Sequence, residues 1–372
     1  MKPPPAGRFL ALDGLRGVAA LAVLVFHMFW NSASADTLAE WMPAPVIDAT
    51  GLMRSGVAIF FVISGFVIAY TTANMRTLRQ GGRFALRRQV RLDPPYYAVI
   101  AVVLVIEFAQ TLVPGLVGRE FTALDVLLNL VYLQDILGVP SVLAVAWTLC
   151  LEVQFYLVVV LLAVLATRAT RSEAWRRRVV VWSAGAIALA SLALPLLGIG
   201  SGPWVLGVWW MFAIGMVLAW HTTATVRTWH VAAAFAVLVA WAALRQFVLG
   251  QADPWGGEWF AIGTGLLIWA LIERDRLARS PGRVLLYFGR ISYPLYLVHL
   301  PVIAVVAGAG FKAFPDAPWA QLLIVLVSGA LAIGAADLLH RWVEQPAIGW
   351  SKRLRRTRTD AGAPVAERTG SA

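Results

Sequence analysis

Residues 12–32 read LDGLRGVAALAVLVFHMFWNS, a run long enough to cross a bilayer that still carries Asp13, Arg16 and His27. A helical span needs about 20 apolar residues. Nine further windows of that kind follow, at 51–71, 94–113, 145–167, 179–198, 203–220, 231–249, 258–273, 286–309 and 319–343. The eighth of the ten is short, and 122–137 has the pattern of an additional re-entrant or interfacial helix. Of the 372 residues 60% are hydrophobic and only 14% charged, whereas soluble domains run near 25% charged. So few charges cannot coat a soluble core. The expected fold is all-α: a polytopic integral membrane protein of about ten transmembrane helices.

The charges then set an orientation. With the N-terminus inside, the loops 74–93, 168–178, 221–230 and 274–285, both termini and Arg290 hold 25 of the 31 basic residues. Arg54, Arg119, Arg245 and Lys312 face the other side, while Arg16 and Arg341 sit within spans. Such asymmetry orients inner-membrane proteins, so both termini are expected in the cytoplasm. The excess of 31 Lys and Arg over 20 Asp and Glu is accounted for by topology in the lipid bilayer, and no nucleic-acid partner is needed. Residues 9–346 are expected to form the membrane domain, and 351–372 a basic tail whose composition favours disorder. The oligomeric state is left open. We see no internal repeat of the kind that builds many transporters.

One cysteine, Cys150, excludes an intrachain disulfide framework and any multi-cysteine metal site, and no metal is expected. Lys2 and Arg8 before an apolar run, and Ala33-Ser34-Ala35 after it, imitate a secretory signal. Asp13, Arg16 and His27 inside that run, and the nine spans that follow, oppose cleavage.

Ionisable groups within spans are functional hypotheses by default. Arg16 and His27 are eleven residues apart, which puts them about 20° from a common face and about 16 Å apart along a helix. With Arg16 at the inner interface, His27 falls near the midplane, where an imidazole can take a proton from a hydroxyl. The alternative is a histidine satisfied by a neighbouring helix. In span two, Phe60-Phe61-Val62-Ile63-Ser64-Gly65-Phe66 permits close approach of a helix or of a ligand, with Ser64 as the candidate contact. Arg88 and Arg91 in Arg87-Arg88-Gln89-Val90-Arg91-Leu92-Asp93-Pro94 share a face at the start of span three. They can clamp phosphates, or merely anchor the inner loop.

Span four holds Glu152 in Trp147-Thr148-Leu149-Cys150-Leu151-Glu152-Val153-Gln154-Phe155-Tyr156. A carboxylate there must be paired, protonated or in a cavity. It can orient the His27 imidazole and stabilise its cation, or pair structurally with an arginine. Span nine adds Ser292, Tyr293, Tyr296 and His299, of which Ser292, Tyr296 and His299 share one helical face. The polar end of span ten, His340 to Gln345, can be explained by snorkelling. A tryptophan cluster at Trp204, Trp209, Trp210, Trp241, Trp255 and Trp259 suits either sugar stacking or the membrane interface.

Taken in order, Asp-Gly-Leu-Arg-Gly with a histidine eleven residues beyond the arginine, Phe-Phe-x-x-Ser-Gly-Phe, Arg-x-x-Arg-x-x-Pro, Trp-Thr-Leu-x-x-Glu-x-x-Phe-Tyr and Ser-Tyr-x-x-Tyr-x-x-His resemble the acyltransferase-3 family from about Phe9 to Pro346. The resemblance implies a polytopic enzyme that O-acylates sugars, glycans or glycosylated metabolites. Acyl-coenzyme A, typically acetyl-coenzyme A, would be a co-substrate entering from the cytoplasm, with no tightly bound cofactor. It implies catalytic roles for His27, Arg16 and Glu152, and donor contacts near Arg88, Arg91 and Ser64. Asp13, Tyr293, Tyr296 and His299 are supporting candidates. The short tail resembles the branch of the family without a C-terminal hydrolase-like domain. The competing class is a transporter or flippase of a lipid-linked or glycosylated substrate, which would not consume a thioester.

Overall fold

The computed structural model describes residues 9–30, 35–113, 118–200, 202–251 and 256–356. The sequence forms α1 (Leu10–Phe29), then two short helices, α2 (Ala35–Ala39) and α3 (Ala44–Leu52), that lead into α4 (Gly56–Thr72). A long α5 (Leu78–Thr111) is followed by α6 (Ala123–Leu130) and α7 (Gln134–Leu137), two short helices where the sequence suggested one over 122–137. After them come α8 (Trp147–Ala169), α9 (Glu173–Leu196), α10 (Trp209–Thr222), α11 (Thr228–Ala243) and α12 (Gly257–Glu273). The last three are α13 (Arg283–Ala313), α14 (Pro318–Leu339) and, after a π-helical turn at His340–Glu344, α15 (Gln345–Arg356). No strand occurs among the described residues.

Nine helical stretches among the described residues are long and apolar enough to span a membrane. The 17-residue α12 stands where the sequence placed a short eighth span and packs against α4 and α10, but is shorter than those nine. A helix of that length still lies within the spanning range. The protein is thus an all-α, multi-pass membrane protein.

The ends of the bundle are sorted by contact. Ala11 N–H donates to Leu277 O at 3.0 Å, and Phe9 packs edge-on to Tyr70 with ring centroids 5.1 Å apart. Arg76 pairs with Glu173 at 3.1 Å, and His221 with Glu273 at 2.8 Å. The loops at 73–77, 170–172, 223–227 and 274–282 therefore share one end with the start of α1. We call this the basic end. Helices α1 and α13 run parallel, as first and ninth crossings must: Gly289 abuts the Asp13 backbone at one end, and His299 meets His27 at the other.

Two regions depart from the sequence expectation. The segment 74–93 is not a loop. Thr77 accepts from Gln80 N and the Gln80 side chain accepts from Thr77 N, a capping box that starts a helix running unbroken through Pro94 and Pro95. At 34 residues, α5 is about 51 Å long, well beyond the roughly 30 Å hydrocarbon core, so its arginine-rich first half projects past it. The two prolines remove two N–H donors at the junction, the point at which a helix bends. At the other terminus, α15 extends to Arg356, so the segment expected to be tail from Ser351 begins as helix; residues from 357 onward lie outside the described residues. Ser351 Oγ donates to Arg87 O at 2.9 Å, laying α15 along the projecting half of α5.

Apolar side chains form two main clusters, one centred on α4, α9, α10, α11 and α12, the other on α1, α5, α13, α14 and the segment before α8. Val57, Phe60 and Val153 pack against both. Polar residues gather along that seam.

Candidate active site

A cavity of about 110 Å³ lies between α1, α4, α5, α8 and α13. Its polar wall is Arg16, Ser64, Arg88, Arg91, Glu152, Tyr293 and Tyr296, with Thr148 and Ser292, closed by Val57, Phe60, Phe61, Leu92 and Leu149. Residues far apart in sequence are thus brought to one chamber. Helix α4 supplies Ser64 only because it can approach α10 closely. A Cβ on Gly65 would fall on the Phe212 carbonyl oxygen, and one on Gly215 on that of Val62.

The Arg88 guanidinium pairs with Glu152 Oε1, and Ser64 Oγ donates to the same oxygen at 2.5 Å. Arg88 also lies over the Tyr156 ring, 5.8 Å from its centroid. Arg16 is near enough to Glu152, Arg88 and Arg91 to feel their charges. Three guanidinium groups therefore share this chamber with one lining carboxylate, an arrangement suited to an anionic ligand. The carboxylate is not turned to His27 as the sequence suggested. An arginine one helix away offers it a full opposite charge and a donor, which a neutral imidazole does not.

His27 is held elsewhere. It lies in the last turn of α1, about 26 Å along the axis from Leu10, and so toward the end opposite the basic loops rather than midway. Its Nδ1 stands 2.9 Å from Val23 O and 3.1 Å from Nε2 of the buried His299, whose own Nδ1 stands 2.9 Å from Leu295 O. A carbonyl oxygen can only accept, so each Nδ1 carries the hydrogen. His299 Nε2 then accepts from His27, and His27 Nε2 is the nitrogen with a basic lone pair. Tyr296 links the two parts: it lines the cavity, its ring centroid is 5.9 Å from that of His299, and its hydroxyl lies 2.8 Å from Thr148 Oγ1.

The other candidates fall as follows. Tyr293 lines the cavity and its hydroxyl donates to Leu92 O at 2.7 Å, tying α13 to α5 beside the prolines. Asp13 stands one turn before Arg16 and does not line the chamber. Arg91 approaches Glu344 at 3.7 Å, and Glu344 is buried and bonded to His340 Nδ1 at 2.6 Å. The end of span ten is therefore not all snorkelling. The signal was the four-residue spacing of His340 and Glu344 before Pro346. Arg341 and Trp342 beside them are exposed. Trp209, Trp210 and Trp241 are buried in the core, Trp204 and Trp259 are exposed, and Trp255 lies outside the described residues, as do Ala33 and Ser34.

Comparison with known proteins locates this arrangement. The family described as an acyltransferase domain matches residues 9–341. The chain is 27% identical to acyltransferase MdmB of Streptomyces mycarofaciens, over 97% of this chain and 96% of that one. It is 24% identical to O-acetyltransferase OatA of Staphylococcus aureus over 90% of this chain and 56% of that one. Over 40% of this chain and 23% of the relative it is 29% identical to peptidoglycan O-acetyltransferase OatA of Listeria monocytogenes. No solved structure matches it.

Proposed function

The chain belongs to the acyltransferase-3 family, and from that membership we propose that it moves an acyl group, the acetyl group first, from acyl-coenzyme A to a hydroxyl of a sugar, glycan or glycosylated metabolite. The observation that carries the reading is the chamber that gathers Arg16, Ser64, Arg88, Arg91 and Glu152 on one side of Tyr296, with the His27–His299 pair on the other. The relatives named as O-acetyltransferases, one of them acting on peptidoglycan, support the transfer and the sugar-bearing acceptor.

In this reading the protein lies in the inner membrane with both termini in the cytoplasm, where the donor enters from the basic end. Arg91 and Arg16 draw in its phosphates, while Arg88 and Ser64, both bonded to Glu152, keep the carboxylate from repelling them. The thioester passes Tyr296 toward His27. The acceptor hydroxyl gives its proton to His27 Nε2 as its oxygen bonds to the thioester carbonyl carbon. The tetrahedral intermediate collapses, the carbon–sulfur bond breaks, and the coenzyme A thiolate takes the proton back from the imidazolium. His299 and Val23 O, both accepting from His27 Nδ1, hold the productive tautomer throughout, the task a carboxylate performs in a serine-hydrolase triad. His27 near the far end of α1 suits an acceptor arriving from the opposite face.

Purified protein incubated with acyl-labelled acetyl-coenzyme A and a crude glycan fraction should release coenzyme A and label a hydroxyl ester. Extracts of cells with and without the gene should differ in one O-acylated product. Protein that moves substrate between vesicle lumen and bath without consuming thioester would overturn the assignment.

A further inference from the structure

A second cavity, of about 250 Å³, lies at the basic end between α4, α8, α9 and α10. It shares two helices with the candidate active site but none of its residues. Its charged lining is Arg176 and Arg177, with no carboxylate. Arg176, in the first turn of α9, is only 7% exposed, and its Nη2 makes no hydrogen bond among the described residues. The nearest acid, Glu173, lies 3.4 Å from that nitrogen but is already engaged by Arg76 at 3.1 Å and Arg177 at 3.0 Å. Three guanidinium groups thus share one half-exposed carboxylate, and the Arg176 side chain lines the cavity while its Nη2 is closed off on the Glu173 side. A buried guanidinium with only a third share in one carboxylate is under-compensated, and an anion in the cavity it lines would supply the missing counter-charge.

The remaining polar wall fits a ligand with several acceptor oxygens. Thr72, Asn74, Thr223 and Thr225 line it, and the last two hydroxyls lie 3.1 Å apart across a turn. Ala224 between them has φ +55°, a left-handed conformation uncommon for a residue with a Cβ. The start of α9 adds the positive end of a helix dipole. Two neighbouring guanidinium forks at a helix N-terminus match a tetrahedral oxyanion better than a planar carboxylate.

We propose that this cavity is a separate phosphate-binding site, with Arg176 and Arg177 as its charged contacts, taking a phosphate monoester or diester. Two sources present that chemistry at this end of the bundle: the headgroup of an anionic phospholipid, and the nucleotide end of coenzyme A. The second source rests on the donor reading above; the first does not.

The test uses the full chain in nanodiscs of phosphatidylcholine, with or without phosphatidylglycerol. The variants are Arg176→Gln, Arg177→Gln and Thr225→Phe, the last filling the cavity while keeping both arginines. Native mass spectrometry counts retained phosphatidylglycerol, and equilibrium dialysis measures binding of coenzyme A and of 3′,5′-ADP. Loss of a charge-assisted contact should weaken one of these ligands about tenfold or more in Arg176→Gln, and Thr225→Phe should weaken the same ligand. A loss confined to phosphatidylglycerol assigns the lipid, and one confined to coenzyme A and 3′,5′-ADP assigns the nucleotide. Neither assay needs turnover, so failure of acyl transfer is read separately. If Arg176→Gln does not fold, Arg177→Gln and Thr225→Phe decide alone. Wild-type binding of both ligands in Thr225→Phe, or no binding of either by the wild type, would overturn the site.

Discussion

His299 Nε2 accepts from His27 Nδ1 at 3.1 Å, across the seam of two parallel helices and 272 residues of sequence. Together with Val23 O, which stands 2.9 Å from the same nitrogen, this contact leaves Nε2 of His27 to act as a base. In His299→Gln an amide oxygen can still accept across the seam, whereas His299→Leu leaves the Nδ1 hydrogen to Val23 O alone. Loss of the orienting acceptor should lower kcat about 10- to 100-fold in the leucine variant, with KM for acyl-coenzyme A nearly unchanged and glutamine retaining more activity. Stability should follow the opposite order, because leucine suits so buried a site better than an amide does. Equal activity in the two variants would reduce His299 to packing. His27→Ala, which removes the base itself, should cost about 100-fold or more.

The Arg88–Glu152 pair separates stability from function. Both side chains are less than a fifth exposed. In Glu152→Gln a buried guanidinium loses its counter-charge, at a cost of about 3–5 kcal/mol seen as a lower unfolding temperature in detergent. The double variant Arg88→Met, Glu152→Met should recover much of that temperature, since apolar residues often replace a buried pair without loss. Acyl transfer should not recover. A double variant that is stable and active would show that the pair only packs.

Much of this was legible in the sequence, for identifiable reasons. Apolar run length marked the nine long helices, because the bilayer imposes that length on any helix that crosses it, and it placed the shorter α12 as well. Seven of the ten candidate residues line one chamber: Arg16, Ser64, Arg88, Arg91, Glu152, Tyr293 and Tyr296. Which of them pair was not legible. Glu152 had two suitable partners on other helices, and helix order in a bundle is not written in any single span. The continuity of α5 through Pro94 and Pro95 was missed because proline is read as a boundary, and here the capping box starts at Thr77, seventeen residues before Pro94. Glu344 was hidden by its neighbours: Arg341 and Trp342 do reach outward, and only the spacing from His340 marked the buried face.

The crossing of α4 and α10 gives a prediction about packing. The backbones meet at Gly65 and Gly215, where an added Cβ would strike a carbonyl oxygen of the facing helix in each case. Backbone cannot yield as a side-chain tip can. Gly215→Ala should therefore cost about 1–3 kcal/mol or more, read as a lower unfolding temperature. Gly263→Ala, where nothing lies near the added carbon, should be neutral or slightly stabilising. Equal stability of both variants would place the two helices farther apart than described here.

Orientation supplies the last prediction. Exposed Arg79 and Arg171 belong to the basic end, whereas exposed Asp36 and Asp316 lie beyond the far ends of α1 and α13, where Trp41 Nε1 donates to Gln321 Oε1 at 3.0 Å. The fold requires the members of each pair to behave alike. The charge distribution adds which pair is expected in the cytoplasm, since the topology read from the sequence assigns 25 of 31 basic residues to the side of Arg79 and Arg171. With the buried Cys150 replaced by serine, cysteines placed one at a time at 36, 79, 171 and 316 can be probed in intact cells with a membrane-impermeant maleimide. Positions 36 and 316 should label at once, and 79 and 171 only after permeabilisation. Labelling of 79 and 171 alone would keep the fold but invert it, and donor entry from the cytoplasm would fall with it. Different behaviour of 79 and 171 would break the grouping of the loops at one end, on which both cavities depend.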